Sequence, residues 1–333
     1  MEYRELPRIV APHDDGDDPG SRPRRFPLAR PGRLDLRKVA TFAMLALSVA
    51  AVVFYAGRHA LGTAMEWLQA QPRYQLPFVD IQLPEPPPDC FRGGKAAFLD
   101  RVRRNAKEPE TLSLLKVDPA RLRTAFKSFP WVAEVGEIER PPGGLVVHLK
   151  YRIPVAKVAV NRTGQFVLDR EGCVLPLEET DTQRIPRLIW IVGKGLTAPP
   201  MERAGTVWKT ATAESSDREA LDRDVVQAAR LAGFFLEPAR EAEAQAEGAA
   251  RISAITVMDP RLNAGLIVET EGRAQIHWGR GPGDEEPGEP TAAEKWDMLV
   301  RQAREGLGQK PRDGLWSFNR SGMVFRPAGG PRP

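Results

Sequence analysis

The stretch DPARLRTAFKSFPWV, residues 118–132, predicts a helix that ends abruptly and passes into a strand. Asp118 can cap the helix, Pro119 suits its first position, and Pro130 stops it. Apolar side chains recur between these signals at the spacing of one helix face, namely at Leu122, Ala125, Phe126 and Phe129. Because that face needs a partner surface, the stretch indicates a packed domain, with Phe129, Pro130 and Trp131 in structural roles.

Strands and a second helix surround this stretch. Residues 131–139 and 145–151, separated by the turn PPGG at 141–144, alternate apolar and polar side chains and predict a hairpin with one buried face. Upstream, Phe98, Leu99 and Val102 predict a helix over 95–105, and residues 78–83 predict a strand within a proline-rich spacer. The predicted order β-α-α-β-β is a compact two-layer α+β unit.

Further upstream, residues 39–56 read VATFAMLALSVAAVVFYA, without a charge. A helix crosses a bilayer core with about 20 apolar residues, so this stretch predicts a membrane span. The preceding residues are strongly basic, with Arg22, Arg24, Arg25, Arg30, Arg33, Arg37 and Lys38 against Asp35. This bias predicts a cytoplasmic N-terminus, an uncleaved single-pass anchor in the inner membrane, and an extracytoplasmic C-terminal part.

The C-terminal half predicts a mixed sheet with helices. Capping-box patterns at 216–219 and 291–294 open two apolar-faced helices. Strand patterns follow at 252–258, 266–270, 273–278, 315–318 and 323–325, whereas residues 196–216 and 237–250 resemble insertions between packed elements.

Composition limits the functional classes. The net charge is +4 over 333 residues, too low for the dense basic surface of a nucleic-acid binder. Two cysteines, Cys90 and Cys173, and four histidines are too few for a disulfide framework or a zinc cluster, and whether the two thiols bond stays open. Asp169 and Glu171 fit a solvated hairpin turn better than an acid/base pair. We therefore expect no catalytic, metal or cofactor site, no small-molecule substrate, and a protein that is not an enzyme.

The run from Leu122 through Phe129-Pro130-Trp131-Val132 to Tyr151-Arg152-Ile153-Pro154 resembles the POTRA domain of the FtsQ/DivIB cell-division proteins. The stretch FVLDREGCVL at 166–175 and Ile185-Pro186-Arg187-Leu188 extend the resemblance into that family's β domain. It implies a cytoplasmic tail (1–38), a transmembrane helix (39–57), a linker (58–76), a POTRA domain (77–153), a β domain (154–326) and a C-terminal tail (327–333). The tails are expected to be disordered.

The resemblance also implies a function, that of a bitopic scaffold at the division septum. In that family the last strands of the β domain pair with small coiled-coil division proteins, FtsB and FtsL. By position the partner-binding residues are Leu315, Trp316, Ser317, Phe318, Met323, Val324 and Phe325, although Trp316 and Phe318 fit the core of an inner strand equally well. Two alternatives are a POTRA-type translocation or envelope-assembly factor and a membrane-anchored extracytoplasmic enzyme.

Overall fold

The computed structural model describes residues 36–160, 164–185, 187–200, 204–210, 216–247, 250–258, 265–305, 314–319 and 322–327. Contacts divide the chain into two units, one ending at Ala64 and the other beginning at Met65. Of the predicted tails, residues 1–35 and 328–333 lie outside the described part of the chain.

The first described element is one long helix, α1 (Leu36–Ala70). From Val39 to Ala70 it is long and apolar enough to cross a bilayer, and none of its most apolar window is buried inside the protein. The predicted span lies within α1, but the helix continues through the predicted linker as far as Ala70. Alanine and leucine favour helix in this extension, and the first proline after it is Pro72.

The segment after α1, residues 71–153, is termed the N-terminal module. Its elements are β1 (Gln75–Pro77), α2 (Gly94–Ala106), β2 (Thr111–Ser113), α3 (Pro119–Lys127), β3 (Val132–Glu139) and β4 (Val146–Tyr151). The predicted helices and hairpin are observed, and the Asp118 side chain caps α3 by accepting a hydrogen bond from the Ala120 backbone N–H. β3 and β4 pair antiparallel, and β1 pairs antiparallel with β2.

The strand predicted at residues 78–83 is not observed. Phe78–Asp80 form a 3-10 turn, and only Gln82 bridges to β4, at Val146 and in parallel. Pro77 and Pro84 bracket this segment, and a proline has no backbone N–H to give to a strand ladder. The observed order is therefore β-α-β-α-β-β, in contrast to the predicted β-α-α-β-β.

Aromatic rings fill the core of the N-terminal module. Trp131 is fully buried, with its ring centroid 5.3 Å from that of Phe91. The ring centroids of Phe98 and Phe129 are 5.2 Å apart, and these two rings meet edge to face. Phe129 and Trp131 are therefore both buried in the core of this module.

The remaining strands of the described part of the chain form one nine-stranded sheet. They are β5 (Pro154–Val160), β6 (Gly164–Asp169), β7 (Val174–Leu175), β8 (Ile189–Gly193), β9 (Ile252–Val257), β10 (Leu266–Thr270), β11 (Gln275–Gly279), β12 (Gly314–Asn319) and β13 (Gly322–Pro327). The sheet order is β13-β12-β11-β10-β9-β8-β5-β6-β7. The pairs β5–β8, β8–β9 and β11–β12 are parallel and the others antiparallel, so the sheet is mixed, as predicted.

Among the described residues, three α-helices accompany the sheet: α4 (Ser216–Phe235), α5 (Pro238–Glu247) and α6 (Ala292–Arg304). α4 buries Val225, Ala228, Ala229 and Ala232, the face predicted from their spacing. Thr291 and Glu294 form the predicted capping box at the start of α6. The buried apolar side chains of α4, of α6 and of the sheet form one continuous hydrophobic cluster.

Residues 237–250, predicted as an insertion, contain the packed helix α5. Its Glu241 accepts a hydrogen bond from Arg187 at 2.7 Å and lies 3.3 Å from Arg251. In the other predicted insertion, Trp208 is buried and its Nε1 donates to Asp222 of α4 at 3.2 Å. The described residues of both stretches therefore contact the packed part of the protein, which sequence periodicity over so few residues could not reveal.

A buried ion pair joins the N-terminal module to the sheet. Arg152 Nη1 lies 2.6 Å from Asp169 Oδ2, and the side chain of Asp169 is only 2% exposed. Asp169 Oδ1 also accepts hydrogen bonds from the backbone N–H groups of Glu171 and Cys173. The carboxylate has the predicted turn role, but the prediction that it is solvated was wrong because Arg152 compensates its charge inside the protein.

We expect Trp131→Ala to lower the free energy of unfolding by about 3–5 kcal/mol, because it deletes a fully buried ring. Trp131→Phe keeps most of the ring and removes the hydrogen bond that Nε1 donates to Glu179 at 3.0 Å, so its loss should be smaller. Denaturant titration of the full chain in detergent measures both. A Trp131→Ala protein as stable as the wild type would contradict the packing described.

We expect His148 on β4 to make stability depend on pH. Its Nε2 lies 3.0 Å from Glu139, and that hydrogen bond raises the pKa of His148 above its ordinary value of 6.5. The stabilisation is complete below that ordinary value and disappears as pH rises through the folded-state pKa. Unfolding titrations at a series of pH values should show this decline in the wild type. His148→Gln should abolish it, and Glu139→Gln should reduce it, because Glu85 also lies 3.6 Å from His148 Nδ1.

Candidate partner-binding surface

The predicted partner-binding residues lie on the last two strands of the sheet. β12 pairs in parallel with β11, and α6 makes the crossover between them. β13 returns antiparallel to β12, with Trp316 opposite Phe325, Ser317 opposite Val324, and Phe318 opposite Met323. The structure therefore brings all seven predicted residues into one hairpin, whose turn residues 320–321 lie outside the described part of the chain.

Four of the seven residues face the helices. Residues directly opposite each other in a ladder share a face, which places Trp316, Phe318, Met323 and Phe325 together. Trp316 is 4% exposed and its ring lies 5.3 Å from that of Phe325, while Phe318 lies 5.3 Å from Trp278. These side chains hold the hairpin on the core, so β12 is an inner strand and a partner would not meet Trp316 directly.

The other three residues point to the opposite face of the sheet. Leu315 and Ser317 are half-buried, and Val324 is 41% exposed. Val324 lies on β13, the last strand in the sheet order. It is therefore the most accessible apolar side chain of the predicted set.

The two ends of the sheet differ in how their edges are covered. At the β7 end, residues 204–208 run beside the strand: Gly205 N donates to Val174 O at 2.7 Å, and Val174 N donates to Thr206 O at 3.0 Å. At the β13 end, no strand among the described residues pairs with the outer side. An uncovered edge strand offers backbone groups to an incoming chain, so the β13 edge is the candidate binding surface.

Sequence reasoning missed several residues of this hairpin. β13 runs from Gly322 to Pro327 and so includes Arg326 beyond the predicted strand, and β12 begins at Gly314. A Cβ on Gly314 would overlap the ring of Phe325, which explains why this position has no side chain. A glycine directly before an apolar strand was the available signal for this close approach.

A cleft of about 440 Å³ lies beside Phe318 and Asn319. Its most notable side chain is Lys295 of α6, which is 1% exposed and donates from Nζ to Glu289 Oε1 at 2.5 Å. Glu289 also accepts hydrogen bonds from the backbone N–H groups of Arg280 and Glu286. Burial opposes ionisation of Glu289, but these hydrogen bonds prevail and lower its pKa. Lys295 and Glu289 thus stabilise the loop before α6.

Within the described ranges, no three His, Cys, Asp or Glu side chains are grouped as metal ligands. Cys90 and Cys173 are buried and not bonded to each other, and burial raises the pKa of Cys173 to about 11. A thiol with so high a pKa carries almost no thiolate at neutral pH and is a poor nucleophile.

The residues predicted as structural lie in the N-terminal module and at its exit. Pro154 is buried at the start of β5, opposite Asp169 in the ladder with β6. Pro130 lies against Gly205, whose φ is +84° and whose added Cβ would come within 2.9 Å of Pro130 Cα. Pro130 therefore contacts the same segment that covers the β7 edge.

No protein-family model matches the chain, and no curated protein is significantly similar to it. Over its described residues, the chain folds as a mixed α+β arrangement with one candidate span and a large mixed sheet. The resemblance to FtsQ/DivIB, and with it the POTRA assignment of residues 77–153, stays a prediction from sequence.

We expect Gly314→Ala to loosen the terminal hairpin, because the added methyl group would displace the Phe325 ring from its packed position. Overpacking of this kind costs about 1–3 kcal/mol. Hydrogen exchange should show faster exchange of the β12 and β13 amides while α3 keeps its protection. Gly144→Ala is the matched control, since its Cβ would meet only Pro141 Cγ at 3.7 Å. Unchanged exchange in Gly314→Ala would contradict the close contact.

Proposed function

We propose that this protein is a bitopic, non-catalytic scaffold of the bacterial division complex, similar to FtsQ. In this proposal α1 crosses the inner membrane with the N-terminus in the cytoplasm, and the part from the N-terminal module onward is extracytoplasmic. The partners are other division membrane proteins, among them small coiled-coil proteins of the FtsB and FtsL type. The lipid bilayer is the remaining partner, and neither a nucleic acid nor a small-molecule substrate is involved.

The main support for the proposal is that, among the described residues, one edge of the sheet has a backbone partner and the other edge has none. Gly205 and Thr206 give the β7 edge a backbone partner from the protein itself. The β13 edge has no such cover among the described residues, although β13 extends over Gly322–Pro327. A protein that protects one edge and leaves the other available is suited to bind an extended segment by strand addition.

The side chains of the terminal hairpin support the same binding mode. Trp316 and Phe325 pack on the core side and hold the strand pair in place. This packing fixes the backbone of β13 before a partner arrives, which reduces the entropy lost on binding. Val324, on the other face, offers an apolar contact to the residue that would lie opposite it on an added strand.

The membrane part of the proposal is supported by α1 and by the basic residues before it. α1 has a sufficient apolar length from Val39 to Ala70. The excess of arginine between residues 22 and 38 favours retention of that side in the cytoplasm. Together these features favour a single-pass anchor with the larger part on the far side of the membrane.

We expect Val324→Asp to weaken partner binding, because it places a charge at the edge where the incoming strand would pack. Val207→Asp is the matched control: Val207 is 48% exposed and lies in the segment that covers the other edge. The test expresses each fluorescently tagged full-length variant in depleted cells and scores septum formation, midcell signal and copurification of coiled-coil membrane proteins. The expected result is filamentous cells and lost copurification for Val324→Asp alone.

Two results would contradict the proposal at different points. Normal division after depletion, with uniform membrane fluorescence, would reject the division role. Equal behaviour of the Val324→Asp and Val207→Asp proteins, both folded by circular dichroism, would reject the β13 edge as the binding surface while leaving the division role to be carried by another surface.

A further inference from the structure

The segment of residues 204–210 lies along the edge strand β7 although it is not one of the nine strands of the sheet. We call this segment the strap. Besides the two hydrogen bonds that join Val174 to residues 205–206, Trp208 N donates to Gly172 O at 2.8 Å. These are the backbone contacts that an added strand makes with a sheet edge. The strap therefore occupies the β7 edge in the way that a bound peptide would.

Two side chains of the strap enter the interior of the protein. Trp208 and Thr210 are 2% and 4% exposed, whereas Val207 and Lys209 are exposed to solvent. Since Trp208 and Thr210 are two residues apart, they lie on the same side of an extended chain. The Trp208 ring meets that of Phe166 on β6 edge to face, with the centroids 5.5 Å apart. The fit of the strap thus depends on two alternate side chains.

Both of these side chains bind to one carboxylate, that of Asp222 on α4. Trp208 Nε1 donates to Asp222 Oδ1 at 3.2 Å, and Asp222 Oδ2 accepts from Thr210 N at 2.8 Å and from Thr210 Oγ1 at 3.0 Å. Asp222 is 8% exposed, and it takes part in no ion pair within the described ranges. A buried carboxylate without donors is costly. Whatever occupies this site must therefore supply the same three donors.

The first part of the strap passes close to the N-terminal module. Gly205 has a φ of +84°, and a Cβ at this position would lie 2.9 Å from Pro130 Cα. Glycine alone meets both conditions without strain or overlap. Together with Trp208 and Thr210, Gly205 defines the pattern that fits the site as Gly-x-x-Trp-x-Thr.

We propose that the β7 edge, Phe166 and Asp222 form a second peptide-binding site, which recognises an extended segment of the pattern Gly-x-x-Trp-x-Thr and which the strap occupies as an internal inhibitor. The partner is a protein that presents this pattern in an exposed, extended stretch. Because the strap belongs to the same chain, its effective concentration at the site is high, and a partner binds only when the strap leaves. The site lies at the opposite end of the sheet from the β13 edge, and the inference does not rest on a role in division.

The test empties the site in the full-length chain in detergent. The double variant Trp208→Ala/Thr210→Ala removes the side chains that hold the strap and keeps Asp222 and Phe166 in place. The probe is a fluorescein-labelled synthetic peptide with the sequence of residues 204–210, AGTVWKT, and fluorescence anisotropy measures its binding. The matched control peptide has alanine in place of the tryptophan and of the last threonine.

The double variant should bind the peptide at least about tenfold more tightly than the wild-type chain, in which the strap competes for the site. The control peptide should not bind measurably, and Asp222→Ala added to the double variant should remove binding. Val324→Asp added instead should leave it unchanged, because Val324 lies on the other edge. Binding that does not depend on Asp222, equal binding of the two peptides, or a folded double variant that binds neither would each overturn the proposal.

Asp222→Asn provides a second measurement in a chain that keeps both buried side chains of the strap. It replaces the charged acceptor by a neutral group of similar size, so hydrogen exchange at the Val174 and Trp208 amides should become roughly tenfold faster. The amides of α3 should keep their protection. Val207→Ser is the matched control, since Val207 is 48% exposed, and its exchange should equal that of the wild type. Unchanged protection in Asp222→Asn would show that Asp222 does not hold the strap and would overturn the proposal.

Discussion

The buried contact between Arg152 and Asp169 is the constraint on which the arrangement of the larger unit depends. Arg152 lies in the short connection between β4 and β5, and its backbone N–H donates to Trp131 O at 2.9 Å. Its guanidinium meets the carboxylate that also fixes the turn between β6 and β7. Loss of either partner would leave an unpaired charge inside the protein, so the hairpin, the connection and the turn form one interdependent assembly.

Glu179, which follows β7 in the chain, also contacts the N-terminal module. This carboxylate accepts a hydrogen bond from Trp131 Nε1 and lies 3.4 Å from Arg101. Phe91 bridges to Thr180 nearby, and Val167 and Leu175 of the sheet belong to the aromatic core of the N-terminal module. The module and the sheet therefore share a core. Any partners that bind to the two parts would be held at a fixed separation, which is the property that the proposed scaffold requires.

Sequence patterns predicted the elements whose signals are local. Asp118 and Pro130 delimit α3, and Thr291 with Glu294 opens α6, because caps and breakers act over a few residues. The pairing of β1 with β2 could not be predicted in this way, since it joins residues far apart in a chain rich in proline.

Prediction of the candidate binding surface was limited in the same way, because sequence patterns report only local signals. Alternation located both strands of the terminal hairpin, but the sheet order decides that β12 is an inner strand and β13 the edge, and that order is non-local. The burial of Asp169 likewise depends on Arg152, 17 positions earlier in sequence. Charge compensation over that distance leaves no periodic signal, so a turn residue in the sequence proved to be an interior group in the fold.

The parallel pairing of β11 with β12 also sets an order for folding during synthesis. β12 can reach its place only after α6 has crossed the sheet, because β12 and β13 follow α6 in the chain. Until then β11 is itself an unpaired edge, with Ile276 and Trp278 not yet covered by the terminal hairpin. A chain in which β12 and β13 have not yet paired is thus prone to associate through β11, and the terminal hairpin moves the edge of the sheet from β11 to β13.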